Sequence, residues 1–157
     1  MKLNTILIGV LASYCLNSTS HADLIEDTTA NLYFKNFYFD RNFDDSKSKD
    51  LNNWSQAVSF TVTSGYTSTP IQVGLDLSAR YAYRLSEEKN IIDNVMPYDK
   101  AKQEQAQDQL KLGATAKFKY ANTELKIGEI IPKLPIVHTD VAMQLPTTFL
   151  GGMIEST

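Results

Sequence analysis

Every second residue is apolar or aromatic in the stretch Ile71-Gln-Val-Gly-Leu-Asp-Leu-Ser-Ala-Arg-Tyr-Ala-Tyr-Arg84. In an extended chain one side would carry residues such as Leu75, Leu77 and Tyr81, and the other would carry Asp76 and Arg80. A period of two is typical of a β-strand with one apolar and one polar face. The stretch is about twice as long as an average strand, which has about 5–6 residues.

The same alternation recurs in four further stretches of the chain. They run from about Asn31 to Asp40, Trp54 to Ser64, Leu110 to Tyr120 and Glu124 to Ile130. Long connections, rich in charged residues or proline, alternate with short ones. The long connections are Arg41 to Asn53, Ser86 to Gln109 and Ile131 to Thr148, and the short ones are Gly65 to Pro70 and Ala121-Asn122.

Long strands with one continuous apolar face and alternating connection lengths predict an all-β fold of antiparallel transmembrane barrel strands. A tilted strand needs about 9–11 residues to cross a bilayer. Aromatic residues near the strand ends fit an interfacial belt; they are Tyr66, Tyr81, Tyr83, Phe118 and Tyr120. A soluble β-sandwich also alternates, but its strands are usually about half as long.

Composition excludes several functional classes. The chain has 157 residues, a net charge of −3 and one cysteine. A mildly acidic chain is not expected to bind nucleic acid, and one cysteine cannot form a disulfide framework or a cysteine-rich zinc site. The other histidine, His21, lies among the first residues, so His138 has no second histidine with which to bind a metal. We find no catalytic motif, so we predict no enzyme, no cofactor and no metal site.

The first residues have the features of a secretory signal peptide. Lys2 is followed by an apolar stretch and then by the small-x-small pattern Ser20-His21-Ala22. This pattern predicts cleavage after Ala22. We therefore divide the chain into a signal peptide, 1–22, and an exported barrel segment, 23–157, that is destined for the outer membrane of a Gram-negative cell.

Basic residues recur on the polar side of the predicted strands. They are Lys35, Arg41, Arg80, Arg84, Lys111, Lys117, Lys119 and Lys126. Only Asp76 and Glu124 oppose them there, which gives that side a predicted net charge of +6, or of +4 if Lys35 and Arg41 of the first strand do not belong to it. Rings of lysine and arginine in a pore favour anions. The pattern predicts a passage for small anionic solutes, carboxylates above all, and the open alternative is that these side chains only keep a lumen wet.

Three stretches resemble the OprD-type outer-membrane porins. The first is Asn31-Leu-Tyr-Phe-Lys-Asn-Phe-Tyr-Phe-Asp-Arg-Asn-Phe43. The second is Thr123-Glu-Leu-Lys-Ile-Gly-Glu129 followed by Ile131-Pro-Lys-Leu-Pro-Ile-Val-His-Thr-Asp140. The third is Leu145-Pro-Thr-Thr-Phe-Leu-Gly151. The resemblance covers nearly the whole chain after the predicted signal peptide.

The resemblance implies an eighteen-stranded channel for small, mostly carboxylate-bearing nutrients, in which a sixth strand would start near Gly151. It implies that Lys35 and Arg41 belong to a ladder of basic lumen residues. It also implies that the connection from Ile131 to Thr148 folds inward and narrows the pore. The chain departs from the family at Met143, where an arginine is usual, and at Gln144, where an apolar residue is usual.

The sequence therefore predicts a passive, substrate-selective outer-membrane porin, of which this chain holds the first five to six strands. We expect it to be an incomplete chain, since five strands and a stub cannot close a wide barrel. The expected partners are outer-membrane lipid, lipopolysaccharide and small anionic solutes, and a homo-oligomer is an open option. The alternatives are a soluble periplasmic β-protein that binds an anionic ligand and a non-conducting outer-membrane barrel.

Overall fold

A computed structural model describes residues 21–44, 50–87, 95–132 and 143–157. The predicted signal peptide lies outside this part of the chain except for its last two residues, and so does most of the Ile131-to-Asp140 motif. A six-residue helix, His21–Glu26, precedes the first strand. Within the described residues, no helix has the length and apolar character that crossing a membrane requires.

Six long strands form one antiparallel sheet in which neighbours in sequence are neighbours in space. The order is β1 (Thr29–Arg41), β2 (Leu51–Thr63), β3 (Gln72–Arg84), β6 (Asp108–Tyr120), β7 (Thr123–Ile130) and β8 (Phe149–Ser156). Four of these strands have 13 residues, which is longer than the about 9–11 residues that a tilted membrane crossing needs. This meander confirms the predicted antiparallel barrel strands, including the sixth strand near Gly151.

The connection from Ser86 to Gln109 contains two strands that the alternation did not predict. β4 (Tyr98–Asp99) pairs with β5 (Glu104–Gln105) to form a two-stranded hairpin. Each strand has only two residues, so no period of two can be read from the sequence. The hairpin does not join the main sheet, and the sequence of six long strands is unaffected.

The sheet exposes its apolar face and buries its polar face, which is the reverse of the arrangement in a soluble protein. The apolar face carries residues such as Phe34, Leu75 and Leu112, and these side chains are exposed; Leu112 is 69% exposed. The polar face carries Arg80, Arg84 and Lys117, and Lys117 is only 3% exposed. Exposed apolar side chains around a polar interior are the arrangement of an outer-membrane barrel. The burial therefore favours the membrane barrel over the soluble β-sandwich.

A small apolar cluster fixes two connections against the polar face. Ala57 and Ala82 are opposed in the register of β2 and β3, and Met96 and Leu145 pack on them. Met96 lies in the connection before β4, and Leu145 lies in the connection before β8. The parts of both connections around Met96 and Leu145 therefore lie over the polar face, near the ends of the strands that carry the long connections.

Candidate solute passage on the polar face

Strand register puts all eight predicted basic residues on the polar face. Each of them lies directly opposite another polar-face residue on a neighbouring strand. The pairs include Arg41 with Leu51, Lys35 with Ala57, Ser55 with Arg84, Arg80 with Lys111, Gln72 with Lys119, and Lys117 with Lys126. Alternation in the sequence thus assigns these side chains to the correct face.

Two of these register pairs oppose like charges directly. Arg80 faces Lys111, and Lys117 faces Lys126. Directly opposed like charges destabilise a sheet unless a countercharge lies nearby. The structure supplies such countercharges in both places, and these acidic residues decide how much positive charge remains for a solute.

The polar face carries two acidic residues more than the sequence predicted. Glu155 lies opposite Glu124 in the register of β7 and β8, and Glu129 contacts Arg80. The face therefore has eight basic and four acidic residues on its strands, and its net charge is +4 rather than +6. The sign of the predicted charge is unchanged, but its magnitude was overestimated.

At the end with the long connections, three basic side chains hold backbone carbonyls. Lys35 Nζ donates to the carbonyl oxygen of Met143 at 2.7 Å, and Lys111 Nζ donates to that of Pro146 at 3.0 Å. Arg84 Nη1 donates to the carbonyl oxygen of Ser86 at 3.0 Å. These residues therefore position the connections over the polar face in addition to contributing positive charge.

The connection before β8 follows the inward course that the resemblance implies, in its described residues 143–148. The backbone N–H of Gln144 donates to the carbonyl oxygen of Val95 at 2.9 Å, and its side-chain Nε2 donates to that of Lys35 at 3.2 Å. Gln144 and Leu145 are both buried. The departures at Met143 and Gln144 are thus part of this contact, Met143 through its carbonyl and Gln144 through its amide.

In the middle of the sheet, Arg80 forms an ion pair with Glu129. Arg80 Nη1 lies 2.5 Å from Glu129 Oε1, and Ser78 Oγ donates to the same oxygen at 3.4 Å. Thr115 Oγ1 donates to the carbonyl oxygen of Glu129. A cavity of about 210 Å³ adjoins the pair and is lined by Thr61, Asp76, Ser78, Arg80, Thr115 and Glu129.

At the end with the short turns, three lysines share a cluster with acidic side chains. Lys117 Nζ lies 2.7 Å from Asp76 Oδ1 and donates to the carbonyl oxygen of Ser64 at 2.9 Å. Lys126 Nζ lies 3.3 Å from Glu124 Oε2 and 3.5 Å from Glu155 Oε2. The positive charge of this cluster is therefore largely balanced within the protein.

Tyr66 belongs to this cluster and not to the predicted interfacial belt. Its ring lies under the ammonium groups of Lys117, at 4.8 Å, and Lys119, at 5.8 Å. Its hydroxyl donates to Glu124, and burial together with this hydrogen bond raises the pKa of Tyr66 above its ordinary value. Proximity to a strand end suggested the belt, but the turn after β2 directs the ring onto the polar face.

Arg41 and Lys119 are the predicted basic residues with exposed side chains. Arg41 ends β1, and its guanidinium lies 4.8 Å from the centre of the Phe43 ring. Lys119 lies near the opposite end of β6 and contacts only the face of the Tyr66 ring among the interactions described above. Neither side chain forms an ion pair with another residue in the described ranges.

Sequence reasoning missed Glu129, Glu155 and the buried amide pair in which Asn53 Nδ2 donates to Gln105 Oε1 at 3.3 Å. Glu155 lies in β8, which pairs with β7. Extending the alternation into β8 would have placed it on the polar face. Glu129 could not, because alternation assigns it to the apolar face. The only signal was the glycine that precedes it.

The whole of this segment matches a known family. The model of the family described as "outer membrane porin, OprD family" matches residues 22–157. The chain belongs to the OprD family of outer-membrane porins. Members of this family are passive channels of the outer membrane and not enzymes, as the sequence predicts.

Individual members of the OprD family show the same relationship. The porin-like protein GalP of Pseudomonas putida is 29% identical over 133 residues, which cover 84% of this chain and 32% of GalP. The crystal structure of OccAB4 from Acinetobacter baumannii superposes with a TM-score of 0.76 at 39% identity and covers 82% of this chain and 35% of OccAB4. The crystal structure of OpdK from Pseudomonas aeruginosa with vanillate gives a TM-score of 0.76 at 30% identity, over 85% of this chain and 34% of OpdK. The chain thus spans about a third of the length of the relatives it matches.

Proposed function

We propose that the protein carrying this segment is a passive, substrate-selective channel for small anionic solutes, with carboxylates as the main class. The observation that carries the proposal is the net charge of +4 on the polar face of a sheet whose other face is apolar and exposed. A charged surface inside a low-dielectric wall focuses its field and concentrates counter-ions. Such a face would raise the local concentration of anions along the passage.

The positions of the basic residues along the strands support a stepwise path. Arg41, Arg84, Lys35, Arg80 and Lys111 follow one another toward the middle of the sheet from the end with the long connections. Lys117, Lys126 and Lys119 lie toward the end with the short turns. Two polar rows that contain Ser78 and Thr115 separate the two groups. An anion would therefore exchange one set of cations for another as it moves.

Carboxylates are proposed because of their chemistry and one relative. Arginine presents a planar fork of donors that matches a carboxylate. The related porin OpdK has a crystal structure with vanillate, which is a carboxylate ion. We extend this chemistry to the present protein as a proposal for its substrate class.

We also propose that residues 1–22 are a signal peptide and that the apolar face lies against lipid and lipopolysaccharide acyl chains. The first proposal predicts a mature N-terminus at Asp23, which N-terminal sequencing of the native protein would show. A mature protein that retains Lys2 would overturn it. Oligomerisation remains a prediction from the sequence.

Planar-bilayer recording tests the proposed channel. The native outer-membrane protein that carries this sequence should form channels whose reversal potential in a KCl gradient shows a preference for chloride. Arg41→Gln and Lys119→Gln should each reduce that preference, since both side chains are exposed on the polar face. Arg80 and Lys117 are poorer choices for this test because removing either leaves a carboxylate without its partner.

The matched control is Lys102→Gln, which removes the same charge from the turn of the β4–β5 hairpin, where the side chain is 68% exposed. This variant should leave the ion preference nearly unchanged. A protein that forms no channels would support the non-conducting barrel instead. Channels with equal preference for both ions would reject the anion passage.

A further inference from the structure

We propose that Glu129 is a specificity-determining residue of the passage, because its carboxylate occupies Arg80 in the way that a solute carboxylate would. Glu129 thereby sets how strongly the middle of the polar face attracts anions. This inference rests on the proposed function, in which solutes move along the polar face. The passage is otherwise defined by its basic residues, and Glu129 is an acidic residue that limits its anion preference.

The direction of the Glu129 side chain depends on Gly128. Regular alternation after Lys126 and Ile127 would put Glu129 on the apolar face, next to the highly exposed Leu150, which it opposes in β8. Gly128 has a φ of 134°, a conformation that residues with a Cβ rarely adopt. This backbone conformation interrupts the alternation, and the carboxylate reaches the polar face instead.

The polar face has space prepared for this carboxylate at Gly113. A Cβ on Gly113 would overlap Oε1 and Cδ of Glu129. Gly113 is opposite Ser78 in the register of β3 and β6, and Ser78 Oγ donates to Glu129 Oε1 at 3.4 Å. Two glycines on different strands therefore serve one side chain, the first by directing it inward and the second by leaving room for it.

The ion pair is shielded from water. The side chains of Arg80 and Glu129 are 6% and 16% exposed, and their closest atoms are 2.5 Å apart. Charges interact more strongly where water is excluded, and salt screens buried pairs less than exposed ones. Glu129 therefore neutralises most of the Arg80 charge that a solute in the adjoining cavity would otherwise meet.

Glu155 offers a matched comparison on the same face. Its side chain is 55% exposed and lies 3.5 Å from Lys126 Nζ, which also has Glu124 as a partner. Glu129→Gln and Glu155→Gln remove the same charge from the polar face and keep the size of the side chain. Only Glu129→Gln leaves an arginine with no acidic partner among the described ion pairs.

The test measures chloride-to-potassium permeability ratios in planar bilayers for the native protein and these variants. Glu129→Gln should raise the ratio by a factor on the order of 2–5, and Glu155→Gln should raise it much less. Glu129→Gln should also make the current more sensitive to block by added benzoate. The double variant Arg80→Gln/Glu129→Gln has the same net charge as the native protein and should return both readouts to native values.

Equal changes in the two single variants would overturn the inference, since they would show a general effect of charge. A Glu129→Gln variant with native permeability and native block would overturn it as well. If Glu129→Gln does not insert, the double variant still tests the inference, because the proposal expects native readouts from it. A native channel without anion preference would reject the proposed function, whereas a selective gain in Glu129→Gln over Glu155→Gln would still support the role of Glu129.

Discussion

Gly74 and Lys117 lie directly opposite each other on β3 and β6, and the lysine side chain crosses the space where a glycine Cβ would stand. A Cβ on Gly74 would lie 2.9 Å from Lys117 Cε and 2.7 Å from the carbonyl oxygen of Gly65. The missing side chain thus lets Lys117 reach Asp76 and the carbonyl oxygen of Ser64. Lys117 can therefore adopt its buried position because Gly74 on the neighbouring strand has no side chain.

We predict that Gly74→Ala destabilises the protein. The added methyl would displace Lys117 or push against the backbone at Gly65, and overpacking of this kind costs about 1–3 kcal/mol. Chemical unfolding of the purified protein in detergent would measure the change. Gly151→Ala is the control, since a Cβ there meets no atom within 4 Å. An equal stability for the two variants would contradict the prediction.

Gly128→Ala is expected to be more damaging than Gly74→Ala. A Cβ on Gly128 would overlap the carbonyl oxygen of Ala114, and the φ of 134° is unfavourable for alanine. Relaxing this residue would also carry Glu129 away from Arg80. We expect a loss of about 2–4 kcal/mol or failure to reach the outer membrane. Heat-modifiable gel mobility of membrane fractions would report correctly folded protein, and wild-type amounts of it would refute the expectation.

Leu112→Arg should impair insertion because Leu112 lies on the apolar face near the middle of β6. A basic side chain at the bilayer midplane costs a membrane barrel about 2–4 kcal/mol. Asn31→Arg introduces the same side chain on the polar face and should be tolerated. The amount of heat-modifiable protein in outer membranes distinguishes the two variants. Equal insertion of both would argue against a lipid-facing apolar side and for the soluble β-sandwich.

Lys35→Met should loosen the connection before β8 because Lys35 Nζ donates to the carbonyl oxygen of Met143. A hydrogen bond from a charged group contributes about 1.5–3 kcal/mol. We would place a cysteine at the buried position Leu145 and follow its labelling by a thiol reagent. Adding Lys35→Met should accelerate labelling by roughly tenfold or more.

The control for this experiment is Lys119→Met, which removes a lysine from the opposite end of the polar face, where its described contact is the Tyr66 ring. It should leave the labelling rate of the cysteine at position 145 unchanged. Similar rates with and without Lys35→Met would mean that the apolar cluster of Ala57, Ala82, Met96 and Leu145 alone holds the connection in place.

The sequence predicted the sheet well because a regular strand has only one geometric rule. Alternation assigned Lys35, Arg80 and Lys126 to one face, and the register between strands agrees with that assignment. The predicted strand boundaries differ from the observed ones by no more than about three residues. The short strands β4 and β5 escaped because a ladder of two residues leaves no periodic signal.

Side-chain partners were harder to predict than faces. Two lysines on one face look equivalent in a sequence, yet Lys117 is buried against Asp76 while Lys119 stays exposed. The difference comes from Gly74, which lies far from Lys117 in the chain and beside it in the sheet. Tyr66 was misplaced for the same reason, since the turn and not the strand end decides where its ring goes.

The sequence by itself determined the period of two, which face is apolar and which is polar and basic, and the family to which the chain belongs, because these depend on residue order alone. Only the tertiary structure decided that Glu129 turns inward to Arg80, that the connections cover part of the polar face, and that the net charge there is +4. These features arise where strands and connections distant in sequence meet. Their free energy depends on distances between side chains, which no periodicity encodes.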